Sequence, residues 1–135
     1  MPRHDTVLRW IETLSALIAR ILRGDRSASI VLARQQLEDA KGMVLGPLLS
    51  LAAHVEPAQL ALLLNDPHRI YGYARILAFE AALARAGGAP AEADRLIDQG
   101  LALARVAIDR IDAVPEEWLE WTAGVAAERL GMPNE

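Results

Sequence analysis

Cysteine is absent from this chain, aromatic side chains make up only 4% of it, and lysine occurs once, at Lys41. Without cysteine, disulfides, thiolate metal sites and cysteine nucleophiles are excluded, and a cytoplasmic location is the natural expectation. Because aromatic residues are few, the core must consist mainly of Leu, Ala, Ile and Val, which favours helices over strands. The remaining basic residues are all arginines, a bias that we attribute to a GC-rich bacterial genome.

The chain also lacks an excess of positive charge and a long apolar run. It has 14 basic and 18 acidic residues, for a net charge of −4, so it has no broad positive field to attract phosphates. The most apolar stretch, residues 44–55, is interrupted by Gly46 and Pro47. The N-terminus has acidic residues where a signal peptide is apolar. We therefore expect no nucleic-acid partner and no membrane segment.

Apolar residues recur at helical spacing along most of the chain, with Gly, Pro and acidic residues between the repeats. This pattern predicts an all-α fold, a single domain over residues 1–135 that forms a compact bundle of about six helices built from antiparallel hairpins. The first helix is expected to be capped by Asp5. The predicted helices cover approximately residues 5–23, 27–44, a short restart within 48–55, 57–64, 67–86, 90–112 and 115–131.

The turn near residue 88 joins two of these helices through a run of small residues. Residues 82–104 read A-L-A-R-A-G-G-A-P-A-E-A-D-R-L-I-D-Q-G-L-A-L-A. Gly87 ends one helix, and Ala93 and Gly100 belong to a nearly bare stripe on the next. Around its turn, this hairpin resembles a tetratricopeptide-type helical repeat. The stripe of small residues predicts that the backbone of the partner helix approaches closely.

Over its whole length the chain resembles a bacterial all-helical domain family of unknown function. The resemblance rests on R-x-D-x-x-L-R-x-I-E at residues 3–12, on P-A-Q-L-A-L-L-L at residues 57–64, and on the tetratricopeptide-like hairpin that follows them. It implies an all-helical fold with the same order of elements. It implies no catalytic residue, because that family has no assigned activity.

Two stripes of aromatic residues are candidate partner-binding surfaces. His68, Tyr71 and Arg75 share one helical face at i, i+3 and i+7, and tyrosine and arginine are enriched at binding hot spots. Trp118 and Trp121 form a second stripe on the last helix. In the structural alternative, Tyr71 packs on a neighbouring helix and the two tryptophans close the end of the core.

Other titratable residues have two interpretations each. Arg9 and Glu12 lie three residues apart on one helical face, where they either bind an anion or carboxylate or are solvated surface charges. Glu80 lies between apolar neighbours and is either a partly buried catalytic carboxylate or the ion-pair partner of an arginine such as Arg105 or Arg110. We favour the surface charges and the ion pair.

No metal, nucleotide or hydrolase motif occurs in the sequence, so we predict no metal and no cofactor. The favoured hypothesis is a scaffold module without catalysis, which binds a protein partner or forms a homodimer. Its predicted contacts are His68, Tyr71, Arg75, Trp118 and Trp121. The alternative is a small-ligand-binding protein or enzyme with a pocket between helices, which a cavity lined by converging polar groups would support.

Overall fold

The computed structural model describes residues 4–24, 30–52 and 54–131, with only the backbone described for residues 4–8. Within these ranges the chain forms six α-helices, one 3-10 helix at Gly46–Leu48, and no strand. The helices are α1 (His4–Leu22), α2 (Ile30–Leu45), α3 (Pro57–Leu64), α4 (Pro67–Ala86), α5 (Pro90–Arg110) and α6 (Glu116–Arg129). The predicted all-α bundle of about six helices is confirmed.

Local chemistry explains why the helices in the middle of the chain begin and end where the sequence predicts. Pro57, Pro67 and Pro90 each occupy the first position of a helix, where the missing amide hydrogen of proline costs nothing. Before α4, the Asp66 carboxylate accepts a hydrogen bond of 3.0 Å from the amide of His68. Asn65 ends α3 in the left-handed conformation, with φ 54°, which asparagine tolerates better than most residues. These boundaries therefore follow from short-range signals.

The restart of one or two helical turns that the sequence predicts over residues 48–55 forms no α-helix among the described residues, which have a 3-10 helix at Gly46–Leu48 followed by turns. Gly46 adopts φ +56° after the end of α2, and Pro47 has no amide hydrogen with which to continue the helix. After the 3-10 helix, the chain continues as hydrogen-bonded turns, in which the amide of His54 donates to the carbonyl of Leu51 over 2.9 Å. The region therefore forms a compact connection between α2 and α3.

The starts of the first two helices were also predicted from the sequence. The described part of α1 already includes His4, so Asp5 lies inside the helix and is not its N-cap. The predicted start of α2 near Ser27 lies outside the described residues. From Ile30 onward, α2 follows the predicted course to its end at Leu45.

Helix α4 is central to the bundle, because it packs against α1, α2, α3 and α5. Its closest neighbour is α5, whose small residues Ala93, Gly100, Ala104 and Ala107 are all buried. A Cβ atom added at Gly100 would lie only 3.0 Å from the backbone oxygen of Ala74 on α4. The close approach predicted from this stripe of small residues is therefore present.

Replacement of Gly100 by alanine tests this close approach. Gly100→Ala is expected to lower the free energy of unfolding by up to about 2 kcal/mol net, because the added methyl group overpacks the contact with α4 at a cost of about 1–3 kcal/mol. This cost outweighs the gain of roughly 1 kcal/mol that alanine brings to a helix interior. Urea unfolding followed by circular dichroism measures the change.

Gly124→Ala is the matched control. It lies inside α6, and a Cβ atom there would meet nothing within 4 Å, so we expect it to stabilise the protein by about 0.5–1 kcal/mol. If both substitutions stabilise the protein equally, α4 and α5 are not in close contact at Gly100.

Candidate functional site

The five predicted partner-binding residues meet in one place between α4 and α6, although they come from two separate stripes. We call His68, Tyr71, Arg75, Trp118 and Trp121 the aromatic cluster. The rings of Tyr71 and Trp118 are stacked, with centroids 4.2 Å apart and planes 7° from parallel. Trp121 meets Tyr71 edge-on at 5.8 Å, and His68 meets Trp118 edge-on at 5.3 Å. Such ring pairs stabilise a contact beyond the area that they bury.

Arg75 lies against the rings of this cluster. Its guanidinium carbon is 4.8 Å from the centroid of the Trp121 ring and 5.8 Å from that of Phe79, within the range of cation–π attraction. One terminal nitrogen donates a hydrogen bond of 3.3 Å to the Tyr71 hydroxyl. The buried Nε atom has no hydrogen-bond partner among the described residues. Arg75 therefore interacts mainly with aromatic faces.

The cluster is largely internal. Tyr71 and Trp118 are each only 3% exposed, whereas His68, Arg75 and Trp121 are half-buried. Burial raises the pKa of the Tyr71 phenol, against the opposing effect of Arg75. In this arrangement Tyr71 and Trp118 fix α6 to α4 and have almost no surface left for a partner. Their role in partner binding stays a prediction.

The sequence interpretation overlooked Phe79 as a neighbour of this cluster. Phe79 follows Arg75 by four residues, which is the spacing that brings two side chains together on a helix. The signal was therefore present in the sequence. Arg9 and Glu12, the other predicted charged pair, are both exposed on α1.

A second group of polar side chains lies on the other side of α4, in a cavity of about 420 Å³ that we call the polar cleft. It is formed by four parts of the chain: α2, the turns that follow it, α4 and α5. Its polar lining consists of Glu38, Lys41, Tyr73, Glu80, Arg95 and Gln99, and its apolar lining of Leu49, Ala52, Val55, Leu77 and Leu96.

Glu80 forms an ion pair in this cleft with the single lysine of the chain. The Lys41 ammonium is 2.6 Å from Glu80 and 3.6 Å from Glu38. The prediction that Glu80 pairs with Arg105 or Arg110 is therefore wrong, although an ion pair was the favoured interpretation. Arg105 is exposed, and Arg110 donates a hydrogen bond of 3.1 Å to the backbone oxygen of Ala61.

The protonation states of Lys41 and Tyr73 make the cleft better suited to bind a ligand than to react with it covalently. Burial lowers the pKa of Lys41, but the hydrogen bond and charge of Glu80, together with the charge of Glu38, raise it more, so that the net shift is upward. Lys41 is therefore a cation at neutral pH and not a free amine that could act as a nucleophile. Burial likewise raises the pKa of Tyr73, so its phenol remains protonated.

Two other kinds of site are absent from the part of the chain that the structure describes. No three His, Asp or Glu side chains lie together where they could bind a metal ion. None of the described helices combines the length and the apolar character needed to cross a bilayer.

Removal of the buried indole tests the role of the aromatic cluster in stability. Trp118→Ala is expected to lower the free energy of unfolding by about 3–5 kcal/mol, because it leaves a cavity and removes the stacking partner of Tyr71. Leu119→Ala, at the exposed neighbouring position of α6, is expected to cost less than about 1 kcal/mol. Urea unfolding of the two variants measures both effects, and equal costs would contradict the internal role of Trp118.

Alkaline pH is expected to destabilise the fold. The pKa values of Lys41, Tyr71 and Tyr73 are all raised above their ordinary values of 10.5 and 10.0, and the chain contains no other lysine or tyrosine. Because the folded chain holds these protons more tightly than the unfolded chain, stability is retained below about pH 10 and lost as the pH rises further.

Thermal unfolding at a series of pH values from neutral to strongly alkaline measures this loss. The Tyr73→Phe variant is expected to lose stability less steeply above about pH 10, since one of the three groups is removed. A melting temperature that rises as the pH increases above about 10 would contradict the raised pKa values of Lys41, Tyr71 and Tyr73.

Comparisons of this chain with models of protein families, with curated proteins and with solved structures found no match. The resemblance to a bacterial family of unknown function and to a tetratricopeptide-type hairpin therefore stays a prediction. Function has to be inferred from the geometry of the chain itself.

Proposed function

We propose that this protein is a helical scaffold module without catalysis, which associates with a second copy of itself through the exposed face of α3. The observation that carries this proposal is a pair of exposed leucines on a helix that has no charge. Leu62 is 65% exposed and Leu63 is 51% exposed. Among the described α-helices, only α3 has no Asp, Glu, Lys or Arg.

The exposed residues of α3 form one continuous face. Ala58, Gln59, Leu62 and Leu63 are exposed, at positions i, i+1, i+4 and i+5 along the helix. On the opposite side, Leu60, Ala61 and Leu64 are buried. A stripe of this shape suits packing against another helix, with side chains at i and i+4 forming a ridge.

The absence of charge favours a second copy of the chain as the partner. The chain has a net charge of −4, so two copies carry net charge of the same sign, which opposes their association. Residues 42–65 contain a single charged side chain, Glu56, and this segment includes α3. Two copies can therefore meet there about a two-fold axis, with the same face on both sides and little repulsion.

The predicted dimer is weak. Helix α3 has 8 residues, and is about 12 Å long at a rise of roughly 1.5 Å per residue. This is too short to supply the roughly 800 Å² per partner that is typical of a stable interface. We expect the two leucines to anchor the contact, with neighbouring surface completing it. The aromatic cluster supports the bundle internally and is not the contact surface in this proposal.

Sedimentation velocity over a range of protein concentrations tests this proposal. The wild-type chain is expected to shift from monomer towards dimer as its concentration rises. Leu62→Lys/Leu63→Lys is expected to remain monomeric, because two ammonium groups on each copy repel each other across the two-fold axis and are costly to desolvate. Circular dichroism checks that the variant remains folded.

The matched control is Leu130→Lys, which changes another exposed leucine, at 74% exposure, beside a separate groove between α4, α5 and α6. This variant should dimerise like the wild-type chain. A wild-type chain that is monomeric at every concentration would overturn the proposal. So would a dimer that is lost in the Leu130 variant and retained in the Leu62/Leu63 variant.

A further inference from the structure

The polar cleft has the size and construction of a small-molecule site. Its volume of about 420 Å³ falls within the range of roughly 300–1,000 Å³ that is typical of ligand pockets. A neighbouring cavity of about 360 Å³ shares Glu38, Glu80 and Leu96 with it. The groove therefore continues past Glu80, and a ligand would have room on both sides of this carboxylate.

Charges of both signs line the cleft. Two cations, Lys41 and Arg95, and two carboxylates, Glu38 and Glu80, line the same cavity. A ligand with a single charge would meet a like charge as well as an opposite one, and like-charge contacts are unfavourable. A ligand with one positive and one negative group can place each beside an opposite charge. The polar lining thus favours a zwitterion.

Tyr73 adds an available hydrogen-bonding group. The residue is 6% exposed and lines the cleft, yet its hydroxyl has no hydrogen-bond partner among the described residues. Because Tyr73 lines the cleft, its hydroxyl is placed to form a hydrogen bond with a ligand there. The apolar side of the cleft, which includes Leu49, Leu77 and Leu96, matches an aliphatic body.

We propose that the polar cleft binds a small zwitterionic molecule that carries an ammonium group and a carboxylate on an aliphatic body. The carboxylate lies beside Arg95 and Lys41, the ammonium group beside Glu38 and Glu80, and the Tyr73 hydroxyl donates to the ligand. This proposal does not depend on self-association through α3, which uses a different part of the surface.

Titration of the full chain with L-leucine and with γ-aminobutyrate, followed by two-dimensional amide NMR, tests this proposal. The two zwitterions differ in the distance between their charged groups. At least one is expected to cause saturable shifts in the amides around Lys41, Tyr73 and Arg95. Isovalerate, which has only the carboxylate, and isoamylamine, which has only the amine, are expected to bind at least about tenfold more weakly, since each leaves one pair of charges unmatched.

Two tyrosine variants locate the ligand. Tyr73→Phe is expected to leave the melting temperature at neutral pH unchanged, because the hydroxyl has no hydrogen-bond partner among the described residues. It is expected to weaken binding about three- to tenfold through loss of one hydrogen bond. Tyr71→Phe removes a hydroxyl from the aromatic cluster and serves as the control, with affinity unchanged.

The proposal fails if neither zwitterion shifts the cleft amides, or if isovalerate or isoamylamine binds as well as the zwitterions do. It also fails if Tyr73→Phe and Tyr71→Phe have the same effect on affinity. Dimerisation is measured separately by sedimentation, so loss of one proposal leaves the other intact.

Discussion

The close contact between α4 and α5 is the constraint on which the rest of the structure depends. At Gly100 the backbones of the two helices approach so closely that a methyl group would lie 3.0 Å from a carbonyl oxygen. This contact needs small residues on α5, and Ala93, Ala104 and Ala107 are buried along the same helix. Because α5 covers one face of α4, the helices α1, α2 and α3 pack against the other faces of α4.

Those faces are used in two chemically different ways. On one side, the rings of Tyr71 and Trp118 stack and fix α6 to α4, a contact based on burial of large apolar area. On another side, Lys41 and Glu80 join α2 to α4 by an ion pair. A partly buried pair of this kind is specific in its geometry, and removal of one partner leaves an uncompensated charge. Because the Lys41–Glu80 pair lines a cavity, it is suited to contact a ligand as well as to join α2 to α4.

Self-association and ligand binding are proposed for different parts of the bundle because of which residues are buried and which are exposed. Tyrosine and tryptophan are good contacts on an exposed surface, but Tyr71 and Trp118 are buried where α6 packs against α4. The exposed apolar surface that remains on α3 consists of leucines without charged neighbours on the same helix. Polar groups instead converge in the cleft beside α4. Association and ligand binding are therefore assigned to different surfaces of one small bundle.

The sequence by itself determined the helical class and the boundaries of the central helices. Pro57, Asn65, Asp66 and Pro67 act on the backbone within one turn, so their effects do not depend on the rest of the fold. The stripe of small residues on α5 likewise predicted its close approach to α4. The restart after Gly46 was the exception, because an apolar run does not by itself distinguish turns from a short helix.

Only the tertiary structure decided which helical faces meet. Helical spacing shows that residues share a face, but it does not identify the helix opposite that face. For this reason Glu80 could be predicted to form an ion pair, while Lys41 could not be identified as its partner. Similarly, the residues of α3 are nearly all apolar, so their spacing could not show that Leu62 and Leu63 are exposed. Whether a residue is buried depends on how the helices pack together, and the local sequence does not show this.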